Sequence, residues 1–269
     1  MEIFNGNSHA KELDKVIAEN IRLVKSSDIM AIVQIGDNEV SESYVNLKLR
    51  YCRKMGLNAK FFKFDASLSD KEISKQVSNI FSEKNVRGGI IQLPLPRKSL
   101  NSILNQIPLN KDIDRLSSTS WTQSDTTSGV GLSPVVRAFK FFLNTYSIDI
   151  HNISIKIIGR GPLVGVPIED YLLSRGVKPG FLDSYVEGIP ISADLVVTST
   201  GIPNLIKGSD IQSGCDVIDF GSAKLHGKTV GDLDLNSGLD HLARISPSPG
   251  GMGPLVIRFL VLNYLGVNL

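Results

Sequence analysis

Tyr44 and Lys48 lie four residues apart in "SESYVNLKLR", directly after the apolar run 29–36. A helix there stacks a phenol over an ammonium just beyond the end of a buried strand. Taken alone, such a pair also reads as a solvated lysine packing its stem along a ring. Further on, "GGIIQLPLP" sets Gln92 at the end of another apolar run, and ligands of open α/β sheets gather at carboxyl ends of strands. The plainer use of that glutamine is a hydrogen bond to nearby backbone. "NKDIDR" supplies Asp112 and Asp114. A carboxylate facing a cleft can accept paired hydrogen bonds from an amino-pyrimidine edge, although loop acids are common. In "IIGRGPLVGVP", Gly159, Gly161 and Gly165 separate an apolar strand from a helix. Glycines let backbone approach a pyrophosphate, and the helix N-terminus offers it free N–H groups. The GxGxxxG spacing is one residue longer than the usual fingerprint, and glycine at such junctions can also serve geometry alone. "SPSPGGMGP", 246–254, makes a constrained loop whose backbone can pass close to a flat ligand.

The elements that must position these groups alternate. Strand patterns at 29–36, 58–64 and 86–96 are separated by helical ones at 41–55 and 69–84, the latter with apolar Ile73, Val77, Ile80 and Phe81. A short helix is expected near 98–106. Single helices between strands imply right-handed crossovers and a largely parallel sheet. The Ser/Thr/Gly-rich stretch 115–131 reads as a linker or lid. Ser133 and Pro134 can start a helix running to about residue 144. A second α/β set follows, with strands at 153–158, 180–183, 194–199 and 215–220, and a helix at 163–174. The expectation is an α/β protein of two domains around a cleft. Residues 1–128 form the first, with a C-terminal helix in 252–269 packing back on it, and 129–251 form the second.

Length and charge narrow the function. The 269 residues can bury a real core, and 29 basic against 27 acidic residues give a net charge of +2, with no basic stripe for nucleic acid. Cys52 and Cys215 form no CxxC pattern, which points to reduced thiols in a cytosolic protein. The N-terminal stretch lacks an apolar signal core. The apolar C-terminal stretch is too short to span a membrane and carries Arg258. His9, His151, His226 and His241 are dispersed, so neither a metal site nor a Ser-His-Asp triad is expected.

Over nearly its whole length the chain resembles the bifunctional methylenetetrahydrofolate dehydrogenase/methenyltetrahydrofolate cyclohydrolase family. "VSESYVNLK", "GGIIQLPLP", "KDID", "IIGRGPLVGVP", "ADLVVTSTGIP", "DVIDFG", "VGDLD" and "SPSPGGMGPL" carry the resemblance, in this order. It implies two α/β domains around a folate cleft, the second a Rossmann-type doubly wound parallel sheet, and a homodimer through that domain. It also assigns roles. Tyr44 and Lys48 would line the folate cleft, with Ser41 at the start of their helix and Gln92 holding the lysine. Asp114 would bind the pterin edge, and Pro249, Gly250 and Gly251 would close over the folate. A lysine partly dehydrated beside a phenol can exchange protons near neutrality, which suits hydrolysis of the methenyl compound. Gly159, Arg160, Gly161, Gly165, Asp183, Ser184 and Ser222 fall on the cofactor side. NADP is the cofactor implied. NAD stays open, because Asp183 lies where an acid accepts hydrogen bonds from a ribose diol.

The departures lie mostly on the cofactor side. Arg115 replaces the usual Gly after KDVD, Gly161 the Ser of GRS, Asp183 the His of a His-Ser pair, Ser222 an Ile, and Leu255-Val256 a Met-Thr. The competing readings are therefore a cyclohydrolase with a decayed cofactor site and a non-catalytic folate or nucleotide sensor. Retention of Tyr44, Lys48, Gln92 and Asp114 argues against the sensor.

Overall fold

The computed structural model describes residues 1–117, 131–182 and 185–269. The chain divides into two compact units, one of Asp14–Pro134 with Ile257–Leu269, the other of Met1–Leu13 with Val135–Val256. It opens with β1 (Glu2–Ile3) and α1 (Gly6–Asn20).

The first unit is built on three parallel strands, β2 (Ile29–Ile35), β3 (Ala59–Phe64) and β4 (Val86–Ile91), in the order β3-β2-β4. Every residue of the central β2 is buried, as expected for a strand covered on both faces. Its odd-numbered side chains, Ile29 to Ile35, pack with Ile73, Val77, Ile80 and Phe81 of α3 (Asp70–Ser82) and with Leu100 and Ile103 of a 3-10 helix, Lys98–Gln106. On the other face Met30 meets Cys52 of α2 (Glu39–Lys54), sulfur to sulfur at 3.7 Å. Asn38 caps α2 through the Ser41 N–H, and Ser69 with Glu72 forms a capping box on α3. β4 ends before the cis Leu93–Pro94 bond, short of the expected 86–96, because Pro94 and Pro96 lack the N–H a ladder needs.

The second unit holds six parallel strands in the order β1-β11-β8-β7-β5-β6. They are β5 (Ile155–Ile158), β6 (Gly180–Leu182), β7 (Leu195–Thr198), β8 (Asp216–Asp219) and β11 (Arg244–Ser246), with β1 at one edge. Among the described residues four α-helices lie within this unit or reach it: the first half of α1, α4 (Pro134–Thr145), α5 (Gly165–Ser174) and the start of α6 (Met252–Leu265). β9 (Ala223–Leu225) and β10 (Lys228–Val230) form an antiparallel hairpin. The chain winds outward from β5 to β6, then returns to place β7 on the other side. That reversal is a Rossmann-type switch point, where ligands bind at the carboxyl ends of the strands.

Residues 1–13 group with the second unit rather than with the first because β1 pairs in parallel with β11, Ile3 opposite Ile245. Of the expected linker or lid, residues 118–130 lie outside the described residues.

Candidate active site

Three of the expected folate-side groups, Ser41, Lys48 and Gln92, are joined in the first unit by two short tethers. The Lys48 ammonium donates to Gln92 Oε1 at 2.8 Å, and Gln92 Nε2 donates to the Leu93 carbonyl at 2.8 Å. Ser41 Oγ donates to the same carbonyl at 3.2 Å, so the first turn of α2 is tied to the segment leaving β4. The α2 helix starts two residues before the expected 41, which puts Ser41 inside its first turn. Tyr44 is half-buried one turn before Lys48, and Cys52 is buried one turn after it. A phenol, an ammonium and a thiol thus share one face of α2.

Charge enters from the loop after β4. Asp112 and Asp114 behave differently despite their spacing. Asp112 is buried and spends its carboxylate on the backbone, accepting the Arg115 N–H at 2.8 Å and the Ser117 N–H at 3.1 Å. Asp114 and Lys48 act on each other through their charges. Burial pushes its carboxyl up, against the pull of Lys48, to about 6. Burial also draws the Lys48 pKa down, opposed by the charge of Asp114. Each member is therefore poised closer to neutrality than in water. Arg115 turns its NH1 to the Leu109 carbonyl at 3.0 Å and adopts a positive φ of 58°.

Sequence reasoning missed what holds α2 at its other end. Asp14 of α1 accepts from Tyr51 Oη at 2.6 Å, Lys54 Nζ at 3.0 Å and Arg258 Nε at 2.9 Å, and the Arg258 guanidinium lies 4.2 Å from the Tyr51 ring centre. The available signal was the helical spacing of Lys48, Tyr51 and Lys54 on α2.

In the second unit the expected cofactor glycines divide by role. A Cβ on Gly159 (φ +92°) would crowd the Ser199 carbonyl at 2.8 Å, and one on Gly165 would run into the Gly159 carbonyl. These two allow the start of α5 to close onto the end of β5. A Cβ on Gly161 would meet nothing within 4 Å, so the turn keeps open space at the carboxyl edge of the sheet. A strand end, an open glycine turn and a helix N-terminus at the switch point fit a dinucleotide pyrophosphate. Arg160 is already engaged. It pairs with both oxygens of Glu169 at 2.9 and 3.0 Å and lies 4.9 Å from the Phe181 ring centre, yet remains half exposed. Ser222 is half-buried just past β8. Asp183 and Ser184 lie outside the described residues.

Pro249, Gly250 and Gly251 also belong to the second unit, after β11. The Ser248–Pro249 bond is cis. Gly251 donates its N–H to the Pro247 carbonyl at 2.8 Å, and a Cβ on Gly6 would run into the Gly251 carbonyl. The N-terminus of α1 is thus packed directly on this loop.

The tetrahydrofolate dehydrogenase/cyclohydrolase catalytic-domain family model matches residues 4–114, and the NAD(P)-binding-domain model of the same family matches residues 134–268. The chain belongs to the tetrahydrofolate dehydrogenase/cyclohydrolase family. Among curated relatives, a bifunctional protein FolD from Mycoplasmopsis synoviae is 32% identical over 285 residues, covering 99% of each chain. The solved structure of the bifunctional FolD from Campylobacter jejuni aligns with a TM-score of 0.84 at 26% identity, over 98% of this chain and 97% of that one. A Trypanosoma brucei FolD, solved with NADP cofactor and an inhibitor, shares the fold at TM-score 0.86 and 24% identity, over 98% and 96% of the chains. Membership in the tetrahydrofolate dehydrogenase/cyclohydrolase family gives the two units their general tasks, folate chemistry in the first and nicotinamide-dinucleotide binding in the second. No helix among the described residues is long and apolar enough to cross a membrane.

Proposed function

We propose that this chain runs both reactions of its family on one folate. It oxidises methylenetetrahydrofolate to methenyltetrahydrofolate with NADP, then hydrolyses the methenyl compound to formyltetrahydrofolate. The observation that carries the assignment of residues is the Lys48 ammonium bonded to Gln92 at 2.8 Å, buried where the charge of Asp114 acts on it.

In hydrolysis, water adds to the cationic methenyl carbon. One proton of that water leaves for solvent and the other passes to the ring nitrogen as its bond to the carbon breaks. Lys48, its pKa drawn down by burial, gives up its proton more readily than a lysine in water and can take up and return these protons. Gln92 fixes the ammonium, Tyr44 positions the ligand, and Asp114 accepts hydrogen bonds from the pterin edge. Ser41 holds the helix turn that carries Tyr44. Pro249, Gly250 and Gly251 border the folate in this reading.

When bound, a nicotinamide dinucleotide would supply the hydride acceptor for the methylene carbon, and the task left to the protein is orientation. Gly159 and Gly165 bring β5 and α5 together under the pyrophosphate, and Gly161 leaves room for it. Arg160, with Ser184, takes the 2′-phosphate, while Ser222 and Asp183 border the cofactor. Because Glu169 already binds the Arg160 guanidinium, discrimination against NAD is expected to be modest. A homodimer completes the reading, as does a place in the cytoplasm, which the two buried free thiols Cys52 and Cys215 support.

The test is a paired assay of the purified protein, with methylenetetrahydrofolate plus NADP or NAD, and with methenyltetrahydrofolate and no cofactor. Reduction of NADP and hydrolysis are both expected. Hydrolysis alone would make the protein a cyclohydrolase with a silent second unit, and neither activity would overturn the proposal.

A further inference from the structure

Asp219 at the end of β8 and Asp232 just after β10 are almost wholly buried, at 1% and 0% exposure. Two carboxylates this deep are costly to keep unless donors surround them. Here the donors are backbone and hydroxyl groups. Asp219 accepts the N–H groups of Gly221 at 2.7 Å, Asp232 at 3.2 Å and Leu233 at 3.0 Å. Asp232 accepts Thr198 Oγ1 at 2.6 Å, the Thr200 N–H at 2.5 Å and the Gly201 N–H at 2.9 Å. The surroundings are shaped for them. A Cβ on Gly221 would run into the Asp232 carboxylate, and one on Gly231 into that of Asp219.

The bonded groups lie in two places. Thr198, Thr200 and Gly201 leave the carboxyl end of β7, and Gly221 leaves that of β8. Both exits lie on the side of the switch point opposite β6. With the pyrophosphate at the turn after β5, and the adenosine ribose read at the end of β6, the nicotinamide half falls to the β7 and β8 side. Asp219 holds the backbone of Asp232, and Asp232 holds the loop after β7, so the two acids act in series.

We propose that Asp232, anchored by Asp219, is a positioning residue for the nicotinamide half of the dinucleotide, setting the backbone of Thr200 and Gly201 on which that half rests. The inference depends on the reading that the second unit binds a nicotinamide dinucleotide. A carboxylate is required because three donors converge on its two oxygens. An amide of the same shape would turn an NH2 toward at least one of them. Burial, reinforced by the charge of Asp232, also pushes the Asp219 carboxyl up to about 7, a penalty that a packing role alone does not require.

The test compares wild type with Asp232→Asn in direct titrations of NADP and of adenosine 2′,5′-bisphosphate, which lacks the nicotinamide half. Methenyltetrahydrofolate hydrolysis and amide hydrogen exchange at Thr200 and Gly201 are measured in parallel. Expected are ~10-fold or greater weakening for NADP, faster exchange at the two amides, and unchanged binding of the bisphosphate and unchanged hydrolysis. Equal NADP affinity in the variant, or loss of both ligands and hydrolysis together, overturns the inference. Failure of wild type to bind NADP would instead sink the reading on which it depends. Should Asp232→Asn not fold, Thr198→Val removes one donor to the same carboxylate and keeps the side-chain shape. Its expected outcome is weaker NADP binding, about several-fold, with the bisphosphate unaffected, and NADP affinity equal to wild type overturns the inference equally.

Discussion

Replacing Lys48 with Met removes the ammonium but keeps most of the stem that packs on α2. Two effects follow, and they have different pH signatures. Methenyltetrahydrofolate hydrolysis should fall by ~10²–10⁴-fold, the usual range for a positioned acid–base group. The second effect acts through Asp114, which burial raises to about 6 even while Lys48 holds it down. A neighbouring opposite charge lowers a carboxyl by roughly 1–3 units, so its loss sends Asp114 to about 7–9. At about pH 7.5 the ionised fraction drops from ~97% to between ~76% and ~3%. A protonated Asp114 cannot serve as a double acceptor for the pterin edge, so folate affinity in the variant should be weak near neutrality. It should recover as the pH rises and converge on wild type by about pH 9–10, where both carboxyls are ionised. The assay is a folate titration at about pH 7 and about pH 9, beside the hydrolysis rate. Hydrolysis at the wild-type rate would show Lys48 to be a bystander. Low hydrolysis with the same folate affinity as wild type at both pH values would refute the coupling of Lys48 to Asp114.

The reciprocal change, Asp114→Asn, removes the charge that keeps the Lys48 pKa from falling further, so the pH midpoint of hydrolysis that reports Lys48 should move to more acid values; an unmoved midpoint would separate the two groups. Asp14→Asn should destabilise the first unit by about 2–3 kcal/mol at neutral pH, since Arg258 and Tyr51 lose their shared acceptor. Burial alone would raise the Asp14 pKa, but hydrogen bonds from Arg258, Tyr51 and Lys54 outweigh it and hold the group at about 2. The folded value is the depressed one, so this stability is present above about pH 4 and is lost as the pH falls toward 2, and urea melts through that window should lose their acid slope in the variant.

Much of this was legible in the sequence where local pattern and packing agree. The strand 29–36 could be read because all of β2 is buried. The helix 69–84 could be read because Ile73, Val77, Ile80 and Phe81 make a clean stripe above a capping box. α1 escaped notice because its apolar stripe is thin, with Ala10, Leu13 and Ile17 spread over more than half the helix. β1 and β11 are too short to show alternation, and they are defined by their pairing, β1 with β11 and β11 with β8. The folate-side residues were found through ordered motifs, which single out Asp114 without a physical reason for passing over Asp112. The fold supplies that reason, since Asp112 accepts the N–H groups of Arg115 and Ser117 while Asp114 feels the charge of Lys48. Asp219 and Asp232 were quoted within motifs but given no task, because their donors are backbone N–H groups that a sequence does not display.

The restraint on α2 explains why a pair that looks ordinary on a helical wheel can do chemistry. A lysine in solution moves through many rotamers, whereas proton transfer needs its nitrogen within about 2.6–3.2 Å of a partner. Here α2 is held at both ends and in the middle. Asn38 caps it and Ser41 ties its first turn to Leu93, Gln92 fixes Lys48 itself, and Asp14 with Arg258 grips Tyr51 in its last turns. Arg115, the departure that most threatened the folate side, does not disturb this arrangement. Its guanidinium goes to the Leu109 carbonyl and its backbone to Asp112, and the charges acting on Asp114 are those of Lys48 and Asp112. The substitution for glycine is accommodated as a left-handed turn residue, and the Lys48–Asp114 encounter survives it.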